Sequence, residues 1–357
     1  MKKNKINFNN CFAVGKNAPT AINVLVGINC KNQLNEENEK ITCALDTRAP
    51  ISIITDLSTI SLPTDKTLWK TVVRDGRCIA GTVPVYQTVS YNHTIDKNEL
   101  LDLIQLQADG GVRLITIHPT PSTDLLESSK NRLVPITSRG GAAVCIDMLK
   151  NNRKDNVYIQ ILDEIIKIAN QYSVVLSIGS SFRSANIHDA LDSTYYLELN
   201  KQIEIADYCC QRNVKVIIET PGHISPQGIN ELCDYLNKSC QHPIMPLGPI
   251  PTDCAFEQDD LAASIGAVLM GTRGCADILS VVTRDEHLGG IPSKDSLIEA
   301  IKKYSVAKHI IDIYKTNDTS RDYNTALMRS ERRSCIIEGK DCSRCAAICP
   351  LKLEIKT

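Results

Sequence analysis

VKVIIETPGH, residues 214–223, combines an apolar, β-branched run with a Pro-Gly turn. The run predicts a buried strand, and the turn ends it sharply, which places Glu219 at the strand tip and His223 just beyond it. Groups able to exchange protons or bind metal are typical of the carboxyl ends of strands in a parallel α/β fold. We therefore expect a parallel sheet if the chain contains several segments of this kind.

Seven further runs of the same type predict strands at residues 51–55, 82–86, 112–118, 132–136, 174–178, 244–247 and 278–283. Helix-like stretches separate several of them, most clearly residues 191–212 and 261–271. Repeated βα units imply a parallel sheet, and eight of them favour a (β/α)8 barrel of the TIM type, with an open doubly wound sheet as the alternative. The predicted divisions are an N-terminal segment at 1–45, the barrel at 46–315 and a C-terminal arm at 316–357.

Composition limits the classes of function. Hydrophobic residues make up 43% of the 357-residue chain but aromatic residues only 4%, as expected for a parallel sheet covered by helices. The formal net charge of -1, without a long basic run, gives no electrostatic footprint for nucleic acid or an anionic membrane. No apolar run of signal-peptide or membrane-spanning length is present, so we expect a cytoplasmic protein with neither of these partners.

Cysteines cluster near the C-terminus, where residues 342–350 read CSRCAAICP. Because the cytosol keeps thiols reduced, a disulfide is the least expected use of these residues. Three thiolates, from Cys342, Cys345 and Cys349, can hold three irons of a [4Fe-4S] cluster and leave the fourth open. A zinc site completed by a remote histidine is the alternative, and the spacing alone favours neither.

Polar residues lie at or just after several predicted strand ends, where a barrel has its active-site mouth. They are Asp56, Tyr86, His118, Glu219, His223 and His287. Two histidines from two strand ends can hold a borderline divalent cation and leave open positions for water or substrate. The alternative is that His223 and His287 each anchor their own loop.

An ordered set of motifs resembles the phosphomethylpyrimidine synthase (ThiC) family of thiamine biosynthesis. The motifs are TDLST (55–59), GTVPVYQ (81–87), SRGG (138–141), SIGSSFR (177–183), ETPGH (219–223), LGPIPTD (247–253) and TRDEHLGGIP (283–292). The likeness extends over residues 20–310 and resumes at the cysteine arm. The family also includes the 5-hydroxybenzimidazole synthases, which act on the same starting nucleotide.

The resemblance implies a radical S-adenosylmethionine enzyme that rearranges 5-aminoimidazole ribonucleotide to 4-amino-5-hydroxymethyl-2-methylpyrimidine phosphate. It implies a (β/α)8 barrel whose C-terminal arm carries a [4Fe-4S] cluster on Cys342, Cys345 and Cys349. A homodimer and a reductant such as flavodoxin or ferredoxin are expected as partners. Two alternatives are a 5-hydroxybenzimidazole synthase serving the cobamide lower ligand and a non-catalytic, nucleotide-binding partner subunit.

The resemblance also assigns site residues. His223 and His287 match the two metal-binding histidines of the family, so a divalent metal, zinc or iron, is expected there. The expected substrate contacts are Tyr86, His118, Ser138, Arg139, Gly140, Arg183 and Glu219. Glu219 and His118 are the expected catalytic pair, either exchanging protons or orienting the imidazole and ribose hydroxyls. The Ser138-Arg139-Gly140 stretch offers a hydroxyl, a guanidinium and backbone N–H groups to a phosphate, although an ordinary glycine turn has the same sequence.

Some positions depart from the family pattern. The arm has the spacing C-x2-C-x3-C where the family has C-x2-C-x4-C, which makes Cys335 a candidate reserve ligand. Thr220 replaces a glycine in the motif at 219–223. Four changes fall in the expected substrate pocket: Leu25 for asparagine, Thr55 for methionine, Ser180 for aspartate and Met245 for tyrosine. Together they suggest a divergent member with a shifted substrate or product, or a partner subunit with weakened activity.

Overall fold

The structure is a computed structural model that describes residues 3–8, 11–89, 93–338, 342 and 344–353. Two short antiparallel strands, β1 (Lys5–Phe8) and β2 (Phe12–Gly15), form a hairpin at the N-terminus. Eight parallel strands follow: β3 (Ala21–Val26), β4 (Ile53–Asp56), β5 (Ile79–Thr82), β6 (Leu114–Ile117), β7 (Val175–Ile178), β8 (Val216–His223), β9 (Ile244–Ile250) and β10 (Ile278–Ser280). They pair in chain order, and β10 closes onto β3. The predicted TIM-type barrel is confirmed.

Helices connect the strands and cover the barrel. Before β7 they are α1 (Leu34–Asp46), α2 (Leu68–Asp75), α3 (Val85–Thr88), α4 (Lys97–Asp109), α5 (Thr123–Ser128), α6 (Arg139–Lys150), α7 (Val157–Gln160) and α8 (Leu162–Tyr172). After β7 they are α9 (Ser193–Cys210), α10 (Pro226–Ser239), α11 (Asp259–Gly271), α12 (Lys294–Thr316) and α13 (Ser320–Glu331). None of the helices in the described part of the chain is long and apolar enough to cross a membrane.

Two of the predicted strands need correction. Residues 132–136 form no strand. The Arg132 side chain pairs with Asp192, and the N–H groups of Leu133 and Val134 donate to the Asp189 carboxylate. These two N–H groups are therefore not available to pair with a neighbouring strand. The strand predicted at 82–86 ends at Thr82, and a short helix begins at Val85.

The first barrel strand, β3, was missed because Asn23 interrupts its apolar run. This strand falls inside the segment 1–45, so the barrel begins before residue 46, where the sequence placed its start.

Side chains that point into the barrel change character along the strands. Near the strand starts the inward layer is apolar and packs with Ile6, Phe8 and Val14 of the hairpin; it includes Ile53, Ile79, Leu114, Val175, Ile217 and Ile278. Because successive side chains on one face of a strand are two residues apart, the next inward layer is offset by two positions. That layer contains Asn23, Thr55, Gly81, Thr116, Ser177, Glu219 and Ser280. The hairpin thus closes one end of the barrel, and a polar layer lies toward the other.

Candidate active site

A cavity of about 310 Å³ opens at the carboxyl ends of the strands. Its lining contains Tyr86, His118, Ser138, Arg139, Arg183, Glu219, His223 and His287, all predicted site residues. Gly140 lies directly behind it, against the His118 ring. Residues spread over two hundred positions of the chain are thus brought to one mouth, as the barrel topology requires.

Glu219 is a buried carboxylate at the tip of β8, with 5% of its surface exposed. It accepts hydrogen bonds from Thr116 Oγ1 (3.1 Å), Ser177 Oγ (3.1 Å) and the Ser180 N–H (3.4 Å). Burial raises its pKa above the ordinary value, against the opposing effect of Arg183 and these hydrogen bonds. A carboxyl group with a raised pKa is suited to exchanging a proton with a bound substrate.

His118 follows β6 and is buried as a neutral imidazole. Burial, with a smaller contribution from the nearby Arg183, lowers its pKa to about 3. Its Nε2 lies 2.9 Å from Ser138 Oγ, and its buried Nδ1 has no hydrogen-bond partner among the described residues. A Cβ added at Gly140 would lie 2.3 Å from the ring, so a glycine is required for this close approach. The unpartnered ring nitrogen is therefore a candidate contact for a polar group of a ligand.

Two guanidinium groups give the cavity positive charge. Arg139 packs over the Tyr86 ring, with 4.7 Å from its Cζ to the ring centroid. Arg183 donates to the Ser180 carbonyl (2.7 Å) and lines the same cavity. Burial raises the pKa of the Tyr86 hydroxyl, and both arginines oppose that effect. The cavity can therefore attract an anionic group, such as a phosphate, to its arginine side.

His223 and His287 lie side by side at the mouth, with ring centroids 5.0 Å apart. His223 Nδ1 hydrogen-bonds with Asp253 Oδ1 (2.8 Å), and His287 Nδ1 lies 3.0 Å from Asp259 Oδ1. Neither Nε2 makes a hydrogen bond to a described residue. Within the described ranges no group of three or more His, Cys, Asp or Glu side chains forms a site for a metal ion. The two imidazoles fit a divalent metal as donors, provided that water or substrate completes its coordination.

Comparison with known proteins identifies the family. A model of the radical SAM ThiC family matches residues 1–340. The chain belongs to this family. Phosphomethylpyrimidine synthase of Clostridium tetani is 34% identical over 323 residues, which is 88% of this chain and 69% of the relative. The enzyme of the same name from Archaeoglobus fulgidus is 30% identical, over 96% of this chain and 86% of the relative.

A solved structure supports the fold alone. Yersinia pestis DHPS with a pterine-sulfa conjugate superposes with a TM-score of 0.50 and 10% identity, covering 88% of this chain and all of that one. Membership in the radical SAM ThiC family is the stronger finding: it makes the protein an enzyme of the radical SAM type and implies an iron–sulfur cluster and S-adenosylmethionine.

The C-terminal arm supplies thiol donors of the kind that the ThiC family requires for its cluster. Cys342, Cys345 and Cys349 are half-buried and Cys335 is exposed; none of them lines the cavity. A hydrogen bond with Cys342 raises the pKa of the Cys335 thiol, and the nearby Cys345 acts in the same direction. Thiols are the usual ligands of an iron–sulfur cluster, but among the described residues no three of these side chains are close enough together to form a metal site. Cys335 lies beside Cys342 and near Cys345.

Three of the four residues that depart from the ThiC pattern in the expected substrate pocket line the cavity, whereas Ser180 does not. These three are Leu25, Thr55 and Met245. Thr55 Oγ1 donates to Asn23 Oδ1 (2.7 Å), and Asn23 Nδ2 donates to Ser280 Oγ (3.2 Å). Sequence reasoning missed Asn23, although the two-residue offset from Leu25 places both on the inward face of β3. The cavity floor therefore keeps an amide, but that amide is already hydrogen-bonded within the protein.

Glu198 on α9 is a second buried carboxylate that the sequence did not single out. Its oxygens accept from the N–H groups of Ser181 (2.7 Å) and Phe182 (2.6 Å) and from Thr120 Oγ1 (2.6 Å). Burial raises its pKa, against the effect of these hydrogen bonds. It holds the backbone segment that carries Arg183, in a region where the ThiC pattern has a further aspartate.

A second cavity, of about 440 Å³, adjoins the first. The two share Leu25, Leu57, Arg139 and Glu286 in their linings. The barrel mouth therefore has room for two small molecules side by side.

Proposed function

We propose that the protein rearranges 5-aminoimidazole ribonucleotide to 4-amino-5-hydroxymethyl-2-methylpyrimidine phosphate, the pyrimidine precursor of thiamine. The observation that carries the proposal is a single cavity in which two arginines lie near a buried carboxylate and a neutral histidine. A ribonucleotide needs this combination, because its phosphate is anionic and its base and ribose present groups that exchange protons. The relatives named phosphomethylpyrimidine synthase support this product.

The residues of the cavity divide the work. Arg139 and Arg183, with Ser138, bind the phosphate, and the Tyr86 ring fixes the direction of the Arg139 side chain. Glu219 exchanges a proton with the substrate, and the neutral His118 orients it through the free Nδ1. S-adenosylmethionine and the [4Fe-4S] cluster supply the radical chemistry when they are bound.

His223 and His287 would hold a divalent metal, zinc or iron, beside the bound cosubstrate. Their separation and their carboxylate partners support this assignment. Cys342, Cys345 and Cys349 would hold the cluster, which a reductant such as flavodoxin or ferredoxin would reduce. A metal bound by two histidines keeps coordination positions open, as a site that also receives a ligand requires.

A homodimer would provide a partner for an apolar face of α11 and α12. Side chains four residues apart on each helix are exposed: Leu261, Ile265 and Leu269 on α11, and Val306, Ile310 and Tyr314 on α12. The two helices pack against each other, so these side chains can form one patch. Light scattering of the purified protein would test the expected mass of two chains.

Product identification tests the proposed reaction. The anaerobically reconstituted protein is incubated with 5-aminoimidazole ribonucleotide, S-adenosylmethionine and dithionite, and the products are analysed by mass spectrometry. We expect the pyrimidine phosphate together with 5′-deoxyadenosine, and neither from Cys345→Ala. Release of 5-hydroxybenzimidazole instead would support the cobamide alternative. Absence of 5′-deoxyadenosine from a protein that contains iron and sulfide would refute the proposal and favour a nucleotide-binding subunit.

A further inference from the structure

We propose that Asp253 and Asp259 are positioning residues that set the ring orientation and tautomer of His223 and His287 for metal binding. The inference rests on the metal site of the proposed function and adds to it the residues that prepare the two ligands. Neither aspartate lines the cavity, so neither would touch the substrate. Each would act only through its histidine.

Asp253 links three loops at the barrel mouth. Its Oδ1 lies 2.8 Å from His223 Nδ1, and its Oδ2 accepts the Ile187 N–H at 3.0 Å. Asp253 follows β9, His223 ends β8 and Ile187 follows β7. The Ile187 N–H therefore fixes the Asp253 carboxylate, and the carboxylate in turn hydrogen-bonds with the His223 ring. Two bonds from different loops leave its side chain little freedom, and the His223 ring takes its orientation from it.

Asp259 is the more deeply buried of the two. It begins α11 with only 2% of its surface exposed, while the side chain of His287 is half-exposed. Its Oδ1 lies 3.0 Å from His287 Nδ1, and its Oδ2 is buried without a hydrogen-bond partner among the described residues. A carboxylate that is buried and incompletely paired is unfavourable for folding. Its position is therefore better explained by its contact with His287 than by stability.

The chemical consequence is direct for His223, whose Nδ1 hydrogen-bonds with Asp253, whereas the His287–Asp259 pair is a close approach of imidazole and carboxylate without that hydrogen bond. A carboxylate next to Nδ1 keeps the proton on that nitrogen, so the lone pair of the neutral ring is on Nε2. The ring centroids are 5.0 Å apart and the rings are inclined by 68°, a separation that one ion bound by both imidazoles can span. Asp253 in the β9–α11 connection and Asp259 at the start of α11 thus each contact a different one of the two ligands.

The chain offers a matched control. His309 Nε2 lies 2.9 Å from Asp322 Oδ2, and neither residue lines the cavity. Asp–His contacts therefore also occur away from the mouth, although this one is made through Nε2 and not through Nδ1. What distinguishes Asp253 and Asp259 is that their histidines converge.

Metal affinity is the direct test. The affinity for Zn²⁺ is measured by competition with a chromogenic chelator on the whole protein with its iron–sulfur cluster reconstituted, so that the arm thiols are occupied. The difference in visible spectrum on adding Co²⁺ reports the ligand geometry. We expect Asp253→Ala and Asp259→Ala to weaken Zn²⁺ binding 10- to 100-fold and to alter the Co²⁺ bands, as loss of such partners commonly does. Asp253→Asn and Asp259→Asn keep an oxygen beside Nδ1, so they should recover most of the affinity. Asp322→Ala should match the wild type.

The outcomes separate the inference from the proposed function. If the wild type and His223→Ala bind Zn²⁺ equally weakly, the metal site itself is wrong. If His223→Ala abolishes binding but Asp253→Ala binds like the wild type, the positioning role is refuted. Asp253 is partly exposed, with 32% of its side chain accessible, so its replacement should fold and decide the question even if Asp259→Ala does not.

Discussion

Gly140→Ala should displace the buried His118 ring and so uncouple it from the cavity. The added Cβ would lie 2.3 Å from Cε1 and 2.6 Å from Nδ1 of His118. Carbon atoms in contact are normally about 3.5 Å apart, so the ring must move by about 1.2 Å. Gly179 closes the opposite side of the ring, where an added Cβ would lie 2.8 Å away, so there is little room for that shift.

The expected magnitude follows from this crowding. Overpacking a buried site costs about 1–3 kcal/mol, partly offset by about 1 kcal/mol because alanine is favoured over glycine in a helix. A shift of about 1 Å in a group that orients substrate can reduce turnover about 100-fold. Gly140→Ala should therefore lose much more activity than stability.

A double-mutant cycle measures the effect. The free energy of unfolding in urea and the rate of product formation are determined for Gly140→Ala, His118→Ala and the double variant. Removing the ring removes the clash, so the double variant should be at least as stable as His118→Ala, while remaining as inactive. Additive stability changes, or a Gly140→Ala enzyme with normal turnover, would refute the steric argument.

Three further outcomes are expected. Glu219→Gln keeps a hydrogen-bonding side chain of the same size, but its amide cannot take up or release a proton. Turnover should therefore fall about 10²- to 10⁴-fold with little change in KM. A loss of turnover below about 10-fold would indicate that Glu219 only orients the substrate. Phe8→Ala should lower the free energy of unfolding by about 3–5 kcal/mol, because the Phe8 ring is buried at the end of the barrel and stacks on Phe12 with ring centroids 4.7 Å apart. Urea unfolding measures this free energy. A change below about 1 kcal/mol would mean that the hairpin does not close the barrel. Burial alone would raise the pKa of Asp277, but Lys3 and Lys315, at 3.2 and 2.9 Å, lower it. The stabilising contribution of Asp277 is therefore present above the unfolded pKa of about 3.9 and is lost as pH falls through the folded value. Asp277→Asn should be less stable at pH 7 and should lack this acid-dependent loss of stability; a variant whose stability has the same pH profile as the wild type would refute this role of Asp277.

The motifs around the mouth could be found in the sequence because they are local. Glu219 and His223 belong to one turn of chain, and Ser138, Arg139 and Gly140 belong to another. Their residue types indicate proton exchange and anion binding even when the residues around them in space are not known. The carboxylates Glu198 and Asp259 carry no such signal, since an aspartate or glutamate in a helix or loop is usually solvated, and Asp253 was included only as the last residue of the motif at 247–253.

Strand patterns were informative where apolar runs were unbroken. The run at 174–178 matches a strand almost to the residue, whereas residues 132–136 look equally β-like and form a loop. The difference lies in long-range hydrogen bonds to Asp189 and Asp192, which no local pattern encodes. Conversely, the polar Asn23 interrupts the apolar run of β3, so the sequence pattern does not indicate this strand. Its amide can be buried there because it hydrogen-bonds with Thr55 and Ser280 of the neighbouring strands.

The amino-acid order was sufficient for the fold class, the family and the motifs that line the cavity, because apolar runs and the spacing of motifs are properties of neighbouring residues. Closure of β10 onto β3 decided which of these groups meet. It buried Glu219 and His118 together, with opposite shifts in pKa, and set the two histidine rings 5.0 Å apart. Burial and convergence depend on the whole chain packing at once, since a pKa or a shared ligand site is set by the atoms around a group and not by its neighbours in sequence.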